Sequence, residues 1–211
     1  MNKNNIDYTL YLCTDQDFMS TDTVEECVEL AIKGGCTVVQ IREKNCSSLE
    51  FYYTAINVKK ITDKYKIPLI INDRADIAAA INADGVHVGQ SDLPVDAVRK
   101  IIGNDKIIGV SASTVDEAVK AAADGADYLG VGAMFPTGTK TNAHPVTVET
   151  LKLIRNNVDI PIVVIGGIKK ERAGTFKDTG INGFAVVSAV AAQKDITAAA
   201  QDLVKAFNEI K

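Results

Sequence analysis

TVEECVELAIKGGCTVVQIREK, residues 23–44, holds one complete helix-to-strand unit, and reading it decides the fold. Thr23 and Glu26 have the spacing of a capping box, in which a hydroxyl and a carboxylate satisfy free amides at a helix start. Val24, Cys27, Val28, Ala31 and Ile32 then follow the i, i+3, i+4, i+7, i+8 stripe of an amphipathic helix. Gly34-Gly35 close it, and TVVQIR begins a strand that ends in charge. Side chains two apart on a strand share a face, so Val38, Gln40 and Arg42 point one way while Val39 and Ile41 point the other.

The same alternation runs through the chain. Eight short apolar runs recur: YTLYL (8–12), TVVQIR (37–42), PLIIN (68–72), GVHVG (85–89), IIGVS (107–111), DYLGVG (127–132), PIVVIGG (161–167) and GFAVVS (183–188). Helical periodicity lies between them. Capping spacing returns at Ser47–Glu50 and at Thr114–Glu117, the latter followed by an expected buried stripe of Val115, Ala118, Val119, Ala122 and Ala123. Gly125 and Gly180 punctuate expected helix ends. Near-continuous apolar strands suit a sheet buried on both faces. Spread over 211 residues, eight units average about 26 residues, near the lower limit of roughly 200 for a (β/α)₈ barrel. The expected fold is therefore α/β, a single (β/α)₈ TIM barrel forming one domain over 1–211. An open doubly wound sheet is the structural alternative.

Composition removes several classes of function. Apolar content of 46% is ample for one large core, and the absence of Trp suits an interior of Val, Ile, Leu and Ala. A net charge of −4 argues against nucleic-acid partners and anionic membranes, while leaving room for a local cationic pocket. Cys13, Cys27, Cys36 and Cys46 form no CxxC pair and share no metal-ligand spacing with the histidines, so they read as buried or incidental thiols. No apolar run approaches the roughly 18 residues of a membrane span, and MNKNNIDYTL lacks a signal-peptide core. The expected setting is the cytoplasm.

Polar residues cluster at the downstream ends of the runs, which in a parallel barrel share one face, where active sites are built. Gln40, Arg42 and Lys44 offer an amide and two cations, suited to an anionic ligand with a polar ring. Asn72, Asp73 and Asp92 follow the third and fourth runs. Each aspartate lies before an expected helix and could simply cap it. Together, opposite a cationic strand end, they suit Mg²⁺, which takes one or two protein carboxylates and completes its octahedron with water and phosphate. His87 reads as a satisfied core histidine. Gly132–Pro145 is long for a strand–helix connection and has the character of a lid or binding loop, with hydroxyls at Thr137, Thr139 and Thr141, a glycine at 138 and a cation at Lys140. Gly166-Gly167 and Ser188 fall after the seventh and eighth runs, where barrels often bind phosphate. The inventory describes two phosphate-handling zones, hence two phosphorylated small-molecule substrates. No Ser/His/Asp or Cys/His nucleophilic set is evident.

QIREK (40–44), INDR (71–74), DGVHVGQSD (84–92), GVSAST (109–114), GADYLGVGAMFPTGTKT (125–141), PIVVIGGI (161–168) and AVVSAV (185–190), in that order, resemble the thiamine-phosphate synthases. The resemblance spans almost the whole chain. It implies a (β/α)₈ transferase that joins 4-amino-2-methyl-5-(diphosphooxymethyl)pyrimidine to a (carboxy)thiazole phosphate, yielding thiamine phosphate and diphosphate. It implies a pyrimidine-diphosphate site of Gln40, Ile41, Arg42, Glu43, Lys44, Asn72, Ser111 and Lys140, with Arg42, Lys44, Ser111 and Lys140 in catalytic roles. Asp73 and Asp92 are the implied ligands of one Mg²⁺ per active site, and Thr137, Gly138, Thr139, Gly167, Val187 and Ser188 the implied thiazole-phosphate site.

Two other functions use parts of this inventory. A thiazole tautomerase of the same superfamily would need only the thiazole phosphate and a histidine base. A non-catalytic barrel sensing a phosphorylated metabolite would have no reason to place carboxylates beside cations.

Overall fold

The computed structural model describes residues 3, 5–138 and 145–211. Eight parallel strands close into a barrel in sequence order, β1 to β8, with β8 pairing back onto β1. They are β1 (Leu10–Cys13), β2 (Val38–Ile41), β3 (Leu69–Asn72), β4 (Gly85–Val88), β5 (Ile107–Ala112), β6 (Tyr128–Val131), β7 (Ile162–Ile165) and β8 (Gly183–Val186). The helices are α1 (Val24–Lys33), α2 (Ser48–Tyr65), α3 (Ala75–Ala80), α4 (Val95–Ile102), α5 (Val115–Ala123), α6 (Val148–Asn157), the single turn α7 (Ser188–Ala191) and α8 (Ile196–Asn208). A 3-10 helix, Lys170–Phe176, stands between β7 and β8 where an α-helix would complete the pattern. The closed barrel, and not the open sheet, is the fold.

The local signals act as their chemistry requires. Thr23 Oγ1 accepts the Glu26 amide at the start of α1, and Ser47 with Glu50 and Thr114 with Glu117 form reciprocal capping boxes. The buried face of α1 is Val24, Cys27, Val28, Ala31 and Ile32, the expected stripe. Helix α5 differs. Its fully buried residues are Ala118 and Ala121, while Val119 is 41% exposed and Ala123 lies on the surface. Alanines surround this helix on several faces, so periodicity alone does not choose which face packs.

Two cores result. Val39, Ile41, Leu69 and Ile71 join the helices in the outer layer, whereas Tyr8, Tyr11, Cys13, Val38, Ile70, Ile107, Tyr128, Val163 and Ala185 fill the lumen. Thus Val38 faces inward and Val39 and Ile41 outward, as alternation dictates. Tyr128 reaches across the lumen because its neighbour in register is Gly109, where an added Cβ would lie 2.0 Å from the Tyr128 ring. All four cysteines are free thiols, three of them buried. Among the described residues, no helix is long and apolar enough to cross a membrane.

Candidate active site

Gln40 lies at the carboxyl end of β2 and is 4% exposed; its Nε2 donates to the Tyr11 hydroxyl at 2.7 Å. Just beyond the strand, Arg42 Nη1 donates to Asp15 Oδ2 at 2.6 Å, and the Arg42 amide donates to Thr14 Oγ1 at 3.1 Å. The guanidinium is thereby held at the mouth, partly exposed, with other N–H groups to spare. Lys44 is exposed. Ile41 turns its side chain into the outer core, leaving only its backbone to the mouth. Glu43 is half-buried, and burial, with Asp15 nearby, pushes its carboxyl up to about 7 while Gln16 pulls it back.

Asn72 ends β3, and Asp73 follows in the left-handed region at φ 62°. Few side chains hold that conformation without local support. Its amide donates to the His87 carbonyl at 2.8 Å, tying the bend to β4. Neither aspartate caps its helix: the capping positions before α3 and α4 are Arg74 and Pro94, both without a side-chain cap. Asp92 Oδ2 instead accepts the Gly89 amide at 2.7 Å, folding the turn after β4 back towards the mouth. The two carboxyls meet. Burial first, then the charge of Asp92, lifts Asp73 to about 6, with Lys44 and Arg42 acting in the opposite direction. These four charged side chains therefore occupy one electrostatic neighbourhood.

Ser111, near the end of β5, holds a further contact: its Oγ lies 2.9 Å from His87 Nε2. His87 Nδ1 lies 2.9 Å from the Tyr128 hydroxyl, which is 2.6 Å from the Tyr11 hydroxyl. Burial drives both phenols far above their ordinary range, so they stay neutral. His87 is 8% exposed and has partners on both ring nitrogens, as a satisfied interior histidine should.

The opposite part of the mouth is built from backbone. The Met134 and Phe135 amides donate to the Ile165 and Gly166 carbonyls at 2.9 and 3.0 Å, strapping the segment after β6 to the end of β7. Gly167, at φ 63°, comes so close to that segment that a Cβ would sit 2.8 Å from Phe135 Cβ and 2.9 Å from the Pro136 carbonyl. Thr137 and Gly138 continue this edge, with Gly138 exposed. Val187 packs on the lumen core, and Ser188 opens the one-turn α7. Thr139, Lys140 and Thr141 lie outside the described residues.

Asp15 and Thr14 escape a reading confined to the ends of apolar runs, because YTLYL stops short of them. Extending that run by the pleat of β1 reaches both. Tyr11 and Tyr128 read as core from their neighbours; only the register across strands shows them touching polar partners.

A family model described as thiamine monophosphate synthase matches residues 10–190. The chain belongs to the thiamine-phosphate synthase family. Relatives bearing the name thiamine-phosphate synthase include one from Clostridium beijerinckii, 62% identical over 208 residues, covering 99% of this chain and 100% of the relative. Another, from Ruminiclostridium cellulolyticum, is 63% identical over 205 residues, covering 97% and 98%. The solved thiamine phosphate pyrophosphorylase from Pyrococcus furiosus superposes with a TM-score of 0.89 at 37% identity, covering 99% of this chain and 98% of that one. Thiamine-phosphate synthases are transferases, and the chain is an enzyme of that class.

Proposed function

We propose that the chain joins 4-amino-2-methyl-5-(diphosphooxymethyl)pyrimidine to a (carboxy)thiazole phosphate, releasing diphosphate. One observation carries this reading: Arg42 and Lys44 share their neighbourhood with the Asp73–Asp92 carboxyl pair at one side of the mouth. The backbone-rich edge of Gly167, Val187 and Ser188 supplies a separate place for a monophosphate. A sensor needs no such carboxyl pair. A tautomerase would need a histidine base; among the described residues the one histidine, His87, has both ring nitrogens hydrogen-bonded, to Tyr128 and Ser111.

The carboxyl pair fits Mg²⁺. Neither group is used as a helix cap, and burial and the charge of Asp92 raise the cost of ionising Asp73, a cost a divalent cation relieves. No cluster of three His, Cys, Asp or Glu ligands occurs among the described residues, which suits an ion drawing the rest of its shell from water and diphosphate. When bound, Mg²⁺ would neutralise charge on the diphosphate oxygens. Arg42, fixed by Asp15, and Lys44 hold the departing diphosphate by charge-assisted hydrogen bonds. We assign Lys140 the same task, on its place in TGTKT. Gln40, Ile41, Glu43, Asn72 and Ser111 surround the pyrimidine diphosphate, and Thr137, Gly138 and Thr139 complete the thiazole-phosphate edge. Electron donation from the aminopyrimidine favours C–O cleavage ahead of attack by the thiazole nitrogen, whose lone pair needs no base. Free thiols suit the cytoplasm.

Incubation with both substrates and Mg²⁺, assayed for thiamine phosphate and diphosphate, tests the assignment. Formation of both supports it; consumption of the thiazole alone indicates a tautomerase, and binding without turnover a sensor. An electron-withdrawing ring substituent should slow single-turnover bond formation by roughly tenfold or more, an increase of about 1.4 kcal/mol in the barrier. An unchanged or faster rate would favour direct displacement.

A further inference from the structure

Gln40, Tyr11, Tyr128, His87 and Ser111 form one unbroken series across the lumen, with each link between 2.6 and 2.9 Å. We propose that this series has a single polarity, in which Tyr11, Tyr128 and His87 are positioning residues that commit Ser111 to donating its hydroxyl hydrogen to the substrate. The inference rests on the proposed placement of the pyrimidine diphosphate beside Ser111.

Counting hydrogens gives the polarity. Gln40 Nε2 donates to the Tyr11 oxygen, so the Tyr11 hydrogen must leave in another direction. Tyr11 is 1% exposed, and the Tyr128 oxygen 2.6 Å away receives that hydrogen. Tyr128, fully buried, then passes its own to His87 Nδ1, 2.9 Å away. A neutral imidazole accepting at Nδ1 carries its proton on Nε2, which donates to Ser111 Oγ at 2.9 Å. Ser111 has received a hydrogen from behind, and its own remains for the mouth. Were Tyr128 to donate to Tyr11 instead, the Tyr11 hydrogen would face the Gln40 amide hydrogens, with nothing to accept it. Turning the Gln40 amide over reverses every link, and Ser111 would become an acceptor, mismatched to a diphosphate.

The scaffold reserves space for this arrangement. Asn72, His87, Gly109 and Tyr128 lie abreast across four strands, and the missing side chain of Gly109 admits the Tyr128 ring. Gly130, abreast of Ser111, does the same for the imidazole: a Cβ there would lie 3.0 Å from His87 Cε1. Alanine at either position would crowd the series.

The test is the imidazole's ¹⁵N spectrum in ¹⁵N-histidine protein carrying His144→Gln, which leaves one histidine. At pH 8, His87 should show a protonated Nε2 and a bare, hydrogen-bonded Nδ1. A proton on Nδ1 would overturn the polarity. Tyr11→Phe and Tyr128→Phe keep the rings and delete the links. Each should raise the KM for the pyrimidine diphosphate about tenfold while moving that for the thiazole phosphate less than about twofold, and Tyr128→Phe should also shift the Nδ1 resonance. Equal change in both constants, or in neither, would reduce the series to packing. Wild-type protein that fails to consume the pyrimidine diphosphate would refute the functional assignment, while the spectrum, which needs no substrate, still decides the polarity.

Discussion

At the scale of single residues, Asp73 offers the sharpest separation between metal ligand and structural residue. Burial and Asp92 raise its pKa to about 6, so the fold favours its protonated form. That contribution to stability is complete below the unfolded value near 3.8 and is lost as pH rises through about 6. Asp73→Asn should therefore melt higher than metal-free wild type at pH 8, by about 2 °C given a half-buried group, and the advantage should shrink at pH 4. Asn also tolerates the left-handed backbone, an effect independent of pH that the comparison of the two pH values removes. The same variant, and Asp92→Asn, should lose Mg²⁺-dependent turnover; near-normal Mg²⁺ dependence in both would remove the metal assignment. Sequence alone exposed these carboxylates by position after apolar runs, yet left capping open as their purpose. Only the capping positions, occupied by Arg74 and Pro94, close that option.

Among elements, legibility follows the contrast between apolar and polar residues. Helix α1, with charges between its apolar residues, was read residue for residue. Helix α5, rich in alanine, is legible in part: Val115, Ala118 and Ala122 pack on the core as expected, while Val119 and Ala123 face outward, because a methyl group marks neither inside nor outside strongly. Val119→Lys should therefore change unfolding free energy by no more than about 0.5 kcal/mol, as exposed substitutions do. A cost of several kcal/mol in urea unfolding would restore the expected stripe. The apolar runs located every strand, with run and strand ends differing by at most two residues. Glycines inside strands carry no signal of their own in the sequence. Gly109 is in fact a vacancy cut for Tyr128, and Gly109→Ala should destabilise the barrel by roughly 1–3 kcal/mol through overpacking.

For the whole molecule, strand order and closure followed from the repeat, and the shared mouth followed from closure. What the repeat could not convey is how the lumen is filled. Tyr8, Tyr11 and Tyr128, each at most 5% exposed, stop it beneath the site. Among the described residues the lumen is thus a cul-de-sac, and a ligand seated above the tyrosines comes and goes at the mouth. On the proposed assignment the pyrimidine diphosphate seats at the buried Gln40 end of the mouth and the thiazole phosphate along the exposed Gly138 edge. A thiazole phosphate seated first would bar the way, so arrivals should be ordered, with the pyrimidine diphosphate leading. Steady-state kinetics can register this queue. An unreactive thiazole-phosphate analogue should inhibit uncompetitively against the pyrimidine diphosphate, because it waits for a place that the first guest completes. A mixed pattern would mean that the mouth is wide enough for either to enter first.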